Sequence, residues 1–177
     1  MNGKTDIELM ALTTQRDEKA FAELVARHRG RLQRLAYNLL PDRAAADDAV
    51  QETFIRLWTH ARRYNPQHSV STWLYTICCR RCYDELRRHR RLRAALSLVE
   101  PITQADAMEA SEITALLRSI ITCLPPKQRV VYQLREVDGL SAEDTSIATR
   151  QSLEQVKANL WAARKTVREK LKRYGIQ

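Results

Sequence analysis

Apolar residues recur at helical spacing through most of the chain. In the first half they return every three or four residues, from Phe21 to Leu39 and again from residue 44, as on a helix with one buried face. Asp17 precedes the first long run as a candidate N-cap, and Pro41 ends it. Asn65-Pro66 interrupts the next run because a residue before proline disfavours the helical conformation. We therefore predict helices at about 5–15, 17–40, 42–61 and 70–93.

The second half predicts four shorter periodic segments. A helix near 108–123 stops before LPPKQ, and the second of those prolines suits a first helical turn. The next helix, to about Val137, ends at the turn signal Asp138-Gly139. Ser141, with Asp144 three residues on, predicts a helix start, and TRQS leads into a long basic helix from Leu153. This succession predicts a helix-turn-helix.

The pattern predicts an all-α protein of two small helical domains joined by a flexible acidic linker. Only 4 glycines and 5 prolines occur among 177 residues, too few for a turn-rich sandwich or barrel. Residues 94–117 contain four acids and no base, and strong periodicity is lost from Ala94 to about Glu109. We place the first domain at 5–93, the linker at 94–110 and the second domain at 111–175.

Charge favours polyanionic partners, since the formal net charge is +9. Residues 61–93 carry nine bases and two acids, and residues 153–177 carry seven bases and two acids. Two separate contacts with nucleic acid are the simplest interpretation. The sequence has no apolar run long enough for a membrane span, and MNGKTDIELM lacks the order of a signal peptide, so we expect a cytoplasmic protein.

The last helix has one apolar and one polar face. An arc of about 80° on the helical wheel predicts the buried side, formed by Leu153, Val156, Leu160, Ala163, Val167, Leu171 and Tyr174. The opposite side can approach a DNA groove and read base edges through Gln155, Ala158, Ala162 and Lys165, with Trp161 at its edge. Lys157, Arg164 and Arg168 form a flank suited to phosphates. The alternative is an ordinary amphipathic surface helix.

The fourth helix carries cations and an aromatic residue on one stripe, at Thr76, Arg80, Tyr83 and Arg87. Aromatic rings can stack on unpaired bases, and guanidinium groups can follow the backbone, so this stripe suits single-stranded nucleic acid. Trp73 and the polar loop 65–71 lie at the start of this helix and offer donors around a base pocket. The alternative is that Trp73 fills the core and that the run from Arg87 is a solvated helix end.

The third helix predicts a protein-binding patch. Its buried arc contains Ala46, Val50, Thr53, Phe54 and Leu57. Ile55 points the other way, among Asp48, Gln51 and Glu52, with Trp58 at the margin. Isolated exposed apolar residues are common, and Glu52 with Arg56 also fits an ordinary i,i+4 ion pair.

Metal and enzyme chemistry are poorly supported. Cys78, Cys79 and Cys82 lack a second Cys/His pair at a zinc-finger spacing, so we expect small buried residues rather than a metal site. No nucleotide-binding, metalloprotease or serine-hydrolase motif occurs. Asp47, Asp48 and Glu52 leave a metal-dependent nuclease as a weak alternative. We expect no enzymatic activity, no metal and no cofactor.

Three segments, in this order, resemble a bacterial RNA polymerase sigma factor of the extracytoplasmic-function group of the sigma-70 family. They are DDAVQETFIRLW, STWLYTICCRRCYDELRR, and LPPKQRVVYQLREVDGLS followed by SLEQVKANLWAARK. The resemblance implies a region 2-like bundle for clamp binding and minus-10 recognition and melting, and a region 4-like helix-turn-helix for minus-35 recognition. The chain departs from the family pattern at Cys78, Cys79 and Arg80, at Glu154 and at Trp161.

The resemblance and the helical faces described above together assign roles to these patches. The residues expected at the polymerase are Asp48, Gln51, Glu52, Ile55 and Trp58. Those expected at the melted minus-10 non-template strand are Asn65, Ser69, Trp73, Thr76, Arg80, Tyr83 and Arg87. Those expected at duplex minus-35 DNA are Gln155, Lys157, Ala158, Asn159, Trp161, Arg164 and Lys165.

Two further expectations concern partners. We hypothesise an anti-sigma factor, because both basic segments and the Ile55 patch would otherwise stay exposed in the free protein. A self-sufficient helix-turn-helix regulator is the rival hypothesis, although no dimerising heptad run occurs. The rival predicts tight DNA binding by the chain alone, whereas a sigma factor needs polymerase to hold its two weak DNA contacts together.

Overall fold

The computed structural model describes residues 3–95 and 112–174, and within these ranges it is built of helices without strands. The prediction of an all-α fold is confirmed. The helices are α1 (Asp6–Thr14), α2 (Glu18–Leu39), α3 (Arg43–His60), α4 (Val70–Ala95), α5 (Glu112–Thr122), α6 (Pro126–Tyr132), α7 (Ala142–Thr149) and α8 (Leu153–Arg173). A 3-10 turn, Ala61–Arg63, follows α3, and a π-helical turn, Gln133–Val137, continues α6. The predicted linker, from residue 96 onward, lies outside the described residues.

Side-chain caps define several helix starts, as the sequence predicts. Asp17 accepts a hydrogen bond from the backbone N–H of Ala20 at 3.0 Å, and Ser141 accepts one from Asp144 at 2.9 Å. Ser152 and Gln155 form a reciprocal capping box at the start of α8. At the end of α7, Arg150 adopts a left-handed conformation with φ 54, so the turn into α8 forms without a glycine.

Helices α1 to α4 enclose the larger apolar core. The predicted buried arc of α3 is confirmed, because Ala46, Val50, Thr53, Phe54 and Leu57 are all buried. Its polar member, Thr53, donates to the carbonyl of Ala49 at 2.7 Å and so carries no unpaired hydroxyl into the core. The three cysteines of α4 are also fully buried, as small core residues.

The apolar arc of α8 packs as predicted except at its end. Val156, Leu160, Ala163 and Val167 are buried against α5 and α6. The prediction for Tyr174 is wrong, since this residue is 63% exposed. It lies beyond the last helical residue, Arg173, where the helical period no longer directs its side chain inward.

The two halves of the chain share one apolar cluster. Val130 and Leu134 of the α6 segment and Ala148 of α7 belong to the same buried cluster as the residues of α2 and α4. Polar contacts accompany this packing: Asn38 Nδ2 on α2 donates to Gln133 Oε1 at 3.0 Å. The helix-turn-helix half is therefore docked on the first four helices, an arrangement that the linear sequence does not predict.

Candidate nucleic-acid and polymerase interfaces

The patch on α3 is exposed where the sequence predicts it. Ile55 is 48% exposed, and Asp48 and Gln51 are exposed on the same helix. Glu52 is half-buried and accepts a hydrogen bond from Arg56 Nε at 2.8 Å, an interaction that lowers the pKa of the Glu52 carboxyl. Glu52 thus remains ionised beside an uncovered isoleucine, and the patch combines negative charge with apolar surface.

Trp58 forms a fixed margin of this patch. Its ring centroid lies 5.0 Å from that of Phe21, and the guanidinium carbon of Arg16 lies 5.1 Å from the ring. Arg16 also donates to the carbonyl oxygen of Trp58 at 3.0 Å. The half-buried indole is therefore held by α2 and by Arg16 rather than being free on the surface.

The loop before α4 is ordered by its own polar groups. Asn65 Oδ1 accepts from the backbone N–H of Gln67 at 3.0 Å, and the Tyr64 hydroxyl donates to the carbonyl of His68 at 2.6 Å. Ser69 Oγ accepts from the backbone N–H of Thr72 in the first turn of α4. The exposed side chains of Asn65 and Ser69 flank this loop, and the Trp73 ring packs 5.7 Å from that of Tyr64.

The predicted minus-10 stripe on α4 is only partly open. Arg80 and Arg87 are exposed, but Thr76 and Tyr83 are half-buried. The Tyr83 hydroxyl is buried without a hydrogen-bond partner among the described residues, and burial raises its pKa. In this conformation Tyr83 packs against the shared apolar cluster, and its role at the minus-10 strand stays a prediction.

The outer face of α8 presents most of its predicted groups to solvent. The exposed members are Gln155, Lys157, Ala158, Trp161, Arg164 and Lys165. Trp161 is 68% exposed, and the Lys165 ammonium lies 5.6 Å from its ring centroid. A large ring and a cation thus stand together in the middle of the face.

Three predicted minus-35 residues also have structural partners. Gln155 Oε1 accepts from the backbone N–H of Ser152 at 3.1 Å, so one of its polar atoms belongs to the helix cap. Arg164 Nη2 donates to Glu136 Oε1 at 2.7 Å, which ties α8 to the segment after α6. Asn159 is half-buried and donates to Gln151 Oε1 at 2.6 Å.

Glu154 adds a negative charge to the start of this face. Backbone N–H donation at the helix start and the Ser152 side chain lower the pKa of its carboxyl. The ionised carboxylate lies next to the exposed polar groups of α8, where it can accept a hydrogen bond from a base or repel a phosphate.

The structure gives the weak alternatives no added support. In residues 3–95 and 112–174, no three His, Cys, Asp or Glu side chains are arranged to hold a metal ion. Asp47, one of the carboxylates considered for nuclease chemistry, accepts from the Tyr37 hydroxyl at 2.5 Å. In the same ranges, no helix is both long and apolar enough to cross a membrane.

Sequence reasoning missed the polar residues that join the two halves. Gln133 is fully buried, Gln151 is 7% exposed, and the side chain of Asp138 is 1% exposed. Asp138 and Gln151 lie in segments that the sequence marks as turns, where polar residues are ordinary. Only tertiary packing distinguishes them from surface residues.

Comparison with known families matches both halves of the chain. Residues 24–92 match the model of Sigma-70 region 2, and residues 114–167 match that of Sigma-70 region 4. The two models together cover more than half of the sequence, and their order along the chain is that of the predicted segments.

Curated relatives agree with these matches. The chain is 31% identical over 144 residues to the ECF RNA polymerase sigma factor SigM of Mycobacterium tuberculosis, covering 81% of this chain and 72% of the relative. It is 30% identical over 163 residues to SigE of Mycolicibacterium smegmatis, covering 88% of this chain and 63% of that longer relative. With SigW of Bacillus subtilis the identity is 26%, covering 88% of this chain and 91% of the relative.

Solved structures show the same fold. The sigma factor RpoE of Bartonella quintana, crystallised with the anti-sigma factor NepR, matches with a TM-score of 0.75 at 23% identity, covering 87% of this chain and 98% of RpoE. CnrH, in complex with the cytosolic domain of CnrY, matches with a TM-score of 0.71 at 24% identity, covering 94% of this chain and 97% of CnrH.

The chain belongs to the extracytoplasmic-function group of the sigma-70 family. Sigma factors bind core RNA polymerase and direct transcription initiation at promoters, and they are regulatory factors rather than enzymes as a class. The region 4 match contains α7, the turn and α8 as far as residue 167, and these elements are the predicted DNA-binding helix pair.

Proposed function

We propose that this sigma factor links core RNA polymerase to two separate promoter elements. The residues that make each contact are those that the sequence predicts. Residues 5–93 would form the unit that binds the polymerase clamp and the minus-10 element, and residues 111–175 the unit that binds the minus-35 element. Residues 94–110 would connect them. Tethering two weak DNA contacts raises the effective concentration of the second once the first has formed.

The exposed outer face of α8 is the observation that carries this proposal. A helix of 21 residues, fixed by a capping box and packed on α5 and α6, presents polar side chains and an exposed tryptophan. Lys157 and Lys165 are available for phosphates, while Gln155 and Trp161 are placed to meet base edges or thymine methyl groups. On binding DNA, Arg164 would leave the Glu136 carboxylate and donate to a phosphate instead.

The α3 patch supplies the proposed polymerase contact. Ile55 offers an apolar anchor, and Asp48, Gln51 and Glu52 offer a polar and acidic rim. A basic, partly apolar surface is the complementary partner, which we assign to the polymerase clamp.

The minus-10 unit would capture unpaired bases rather than use ATP to open DNA. Asn65, Ser69 and Trp73 surround the loop before α4, and Arg80 and Arg87 follow with positive charge. Opening base pairs costs a few kcal/mol, and stacking with backbone neutralisation offsets that cost once the strand is bound.

We also propose that an anti-sigma factor regulates the protein, as in the complexes of RpoE with NepR and CnrH with CnrY. The protein would act in the cytoplasm, where the polymerase works, and have no catalytic activity of its own.

Run-off transcription with core polymerase tests the proposal. On genomic DNA fragments, core polymerase plus this protein should give transcripts that core polymerase alone does not give. Gel shifts on the same fragments should show weak binding by the chain alone and strong binding with core polymerase. Tight sequence-specific binding by the chain alone, with no new transcript, would support the rival regulator instead.

A further inference from the structure

The exposed side of α8 carries a stripe of four residues, which we call the outer stripe. Its members are Glu154, Ala158, Trp161 and Lys165, and all four are exposed. At about 100° per residue they fall within an arc of about 60°. The buried residues of α8, from Val156 to Val167, form an arc on the opposite side of the helix. Because that buried side packs on α5 and α6, the outer stripe is the part of α8 that would meet the floor of a DNA groove.

The cations of α8 that suit phosphates lie beside the outer stripe. Lys157, Arg164 and Arg168 fall within an arc of about 40°, which begins about 20° beyond Trp161 on the helical wheel. All three cations are exposed. Phosphates line the walls of a groove and base edges form its floor, so cations on one flank direct the neighbouring stripe towards base edges. In such a groove, Glu154 would face bases rather than the phosphate backbone.

The carboxylate of Glu154 is an ionised acceptor at the first turn of α8. Hydrogen bonds from its own backbone N–H and from the Ser152 side chain lower its pKa and hold it at the start of the helix. A carboxylate has about four acceptor positions, so positions remain for a donor on the DNA. Glu154 is one of two acids on α8, beside seven bases, and its charge opposes DNA binding unless the carboxylate meets such a donor.

The four bases differ in what they present to this acceptor in the major groove. Cytosine presents the N4 amino donor, whereas guanine and thymine present only acceptors. Adenine presents its N6 amino donor next to the N7 acceptor, which repels a carboxylate. An acid at this position therefore favours cytosine and disfavours the other bases, and the repulsive contacts contribute to specificity as much as the attractive one does.

We infer that Glu154 is a specificity-determining residue of the minus-35 contact, and that its carboxylate accepts a hydrogen bond from the N4 amino group of one cytosine. The inference rests on the proposed function of α8. Trp161 lies seven residues further along the same stripe, about 10 Å along the helix axis, so it meets a different base pair. Glu154 thus controls the preference at one position of the minus-35 element, and other residues of α8 control the rest.

Selection from randomised DNA provides the first test. The template is a genomic fragment that gives a run-off transcript with the holoenzyme, and its base pairs around position minus-35 are randomised. DNA bound by the wild-type holoenzyme should be enriched in cytosine at one position, by about fivefold or more over each other base. Glu154→Ala should lose this enrichment and keep the preferences at the other positions. Unchanged base preferences with Glu154→Ala would overturn the inference.

Glu154→Gln should change the preferred base rather than abolish the preference. Its side-chain amide both donates and accepts, which suits N6 and N7 of adenine, so the enriched base should change from cytosine to adenine. Both Glu154 variants keep the capping box of Ser152 and Gln155, and Glu154→Gln decides the test if circular dichroism shows that Glu154→Ala is unfolded. Glu169→Gln is the matched control, because it removes the same charge at an exposed residue near the other end of α8 and should keep cytosine.

Removal of the amino group from the DNA provides the second test. The enriched cytosine is replaced by pyrimidin-2-one, which lacks only the N4 amino group. The wild-type holoenzyme should lose about fivefold more affinity than the Glu154→Ala holoenzyme does, and this difference isolates the contact from the weakened base pair. Equal losses in both proteins would overturn the inference.

Two further outcomes separate this inference from the proposed function. Tighter binding of Glu154→Ala to every sequence, with no change of base preference, would show that the carboxylate only repels phosphates, and it would overturn the inference alone. A wild-type protein that directs core polymerase to initiate on no template would overturn the proposed function and this inference with it.

Discussion

The guanidinium of Arg129 on α6 donates to the carbonyl oxygen of Leu39 at the end of α2, with Nη1 and oxygen 2.8 Å apart. Its Nη2 donates to the carbonyl oxygens of Leu124 and Thr122, at the end of α5. One buried arginine thus satisfies carbonyls at two helix ends that have no intrahelical donor. Burial lowers the pKa of this guanidinium, so its three carbonyl partners compensate for a charge removed from water.

Replacing Arg129 with alanine should destabilise the protein strongly. The change leaves three carbonyl groups without their donor, at a cost of about 2–4 kcal/mol in the free energy of unfolding. Differential scanning calorimetry should show a decrease in Tm of roughly 5–15 °C for a chain of this size. Lys127→Ala, at an exposed residue of the same helix, should leave Tm nearly unchanged. An equally stable Arg129→Ala variant would contradict the capping role.

Ile55→Glu should impair binding to core polymerase while sparing the fold. The residue is 48% exposed, so the new charge stays in water in the free protein but would be buried at the proposed interface. We expect affinity for core polymerase, measured by fluorescence anisotropy, to fall about 10–100-fold with Tm unchanged.

Ile7→Glu is the matched control for that change. Ile7 is 53% exposed on α1, outside the proposed patch, and its replacement should leave core binding intact. Unfolding of the Ile55→Glu variant would show that Ile55 is a core residue, and equal losses in both variants would point to a nonspecific effect of charge.

Lys165→Ala should weaken promoter binding by the holoenzyme similarly across different base sequences. The exposed ammonium beside Trp161 is placed to neutralise one phosphate. The slope of log K against log salt concentration should therefore decrease in magnitude by about 1. Lys172→Ala, exposed in the last turn of α8, controls for the loss of one positive charge. An unchanged salt slope for Lys165→Ala would remove this residue from the interface.

Asp138→Asn should stabilise the protein at neutral pH. Burial raises the pKa of the Asp138 carboxyl more than Gln133, Arg34 and Arg31 lower it. The folded state therefore binds this proton more tightly than the unfolded state does, and the ionised carboxylate opposes folding above the raised pKa. Asparagine carries no charge to desolvate and can still accept from Gln133.

The advantage of Asp138→Asn should shrink as the pH falls through the raised pKa, because the wild-type carboxyl then becomes neutral as well. Besides the two arginines on α2, Tyr75 and Cys79 on α4 face this carboxyl. Urea unfolding from pH 7 to pH 4 measures the difference in free energy, and Asp84→Asn at an exposed residue is the control. A variant less stable at pH 7 would show that the ion pair with Arg34, 3.6 Å away, outweighs desolvation.

Local signals predicted the helices well because each signal acts within a few residues. The Asp17 cap, the stop at Pro41 and the buried arc of α3 were all predicted from spacing and confirmed. The exposure of Ile55 followed from the same wheel. Tyr174 was misplaced because periodicity was extended beyond the residue where α8 ends.

The minus-10 stripe on α4 has a feature that helical spacing does not predict. The wheel places Arg80 and Tyr83 on one side of α4, but it does not reveal that Tyr83 is covered and Arg80 is not. Their difference depends on the second half of the chain, because Tyr83 packs against the apolar cluster that also contains Val130, Leu134 and Ala148.

Within residues 3–95 and 112–174, the sequence by itself determined helices α1 to α8 and the amphipathic faces of α3 and α8. It also determined the family, because caps, helical periods and family motifs depend on residues that are close together in the sequence. The tertiary structure alone decided that the helix-turn-helix half docks on α2 and α4. That docking depends on pairs such as Asn38 with Gln133, separated by 95 residues, whose meeting is favoured by the joint burial of apolar surface rather than by any local preference.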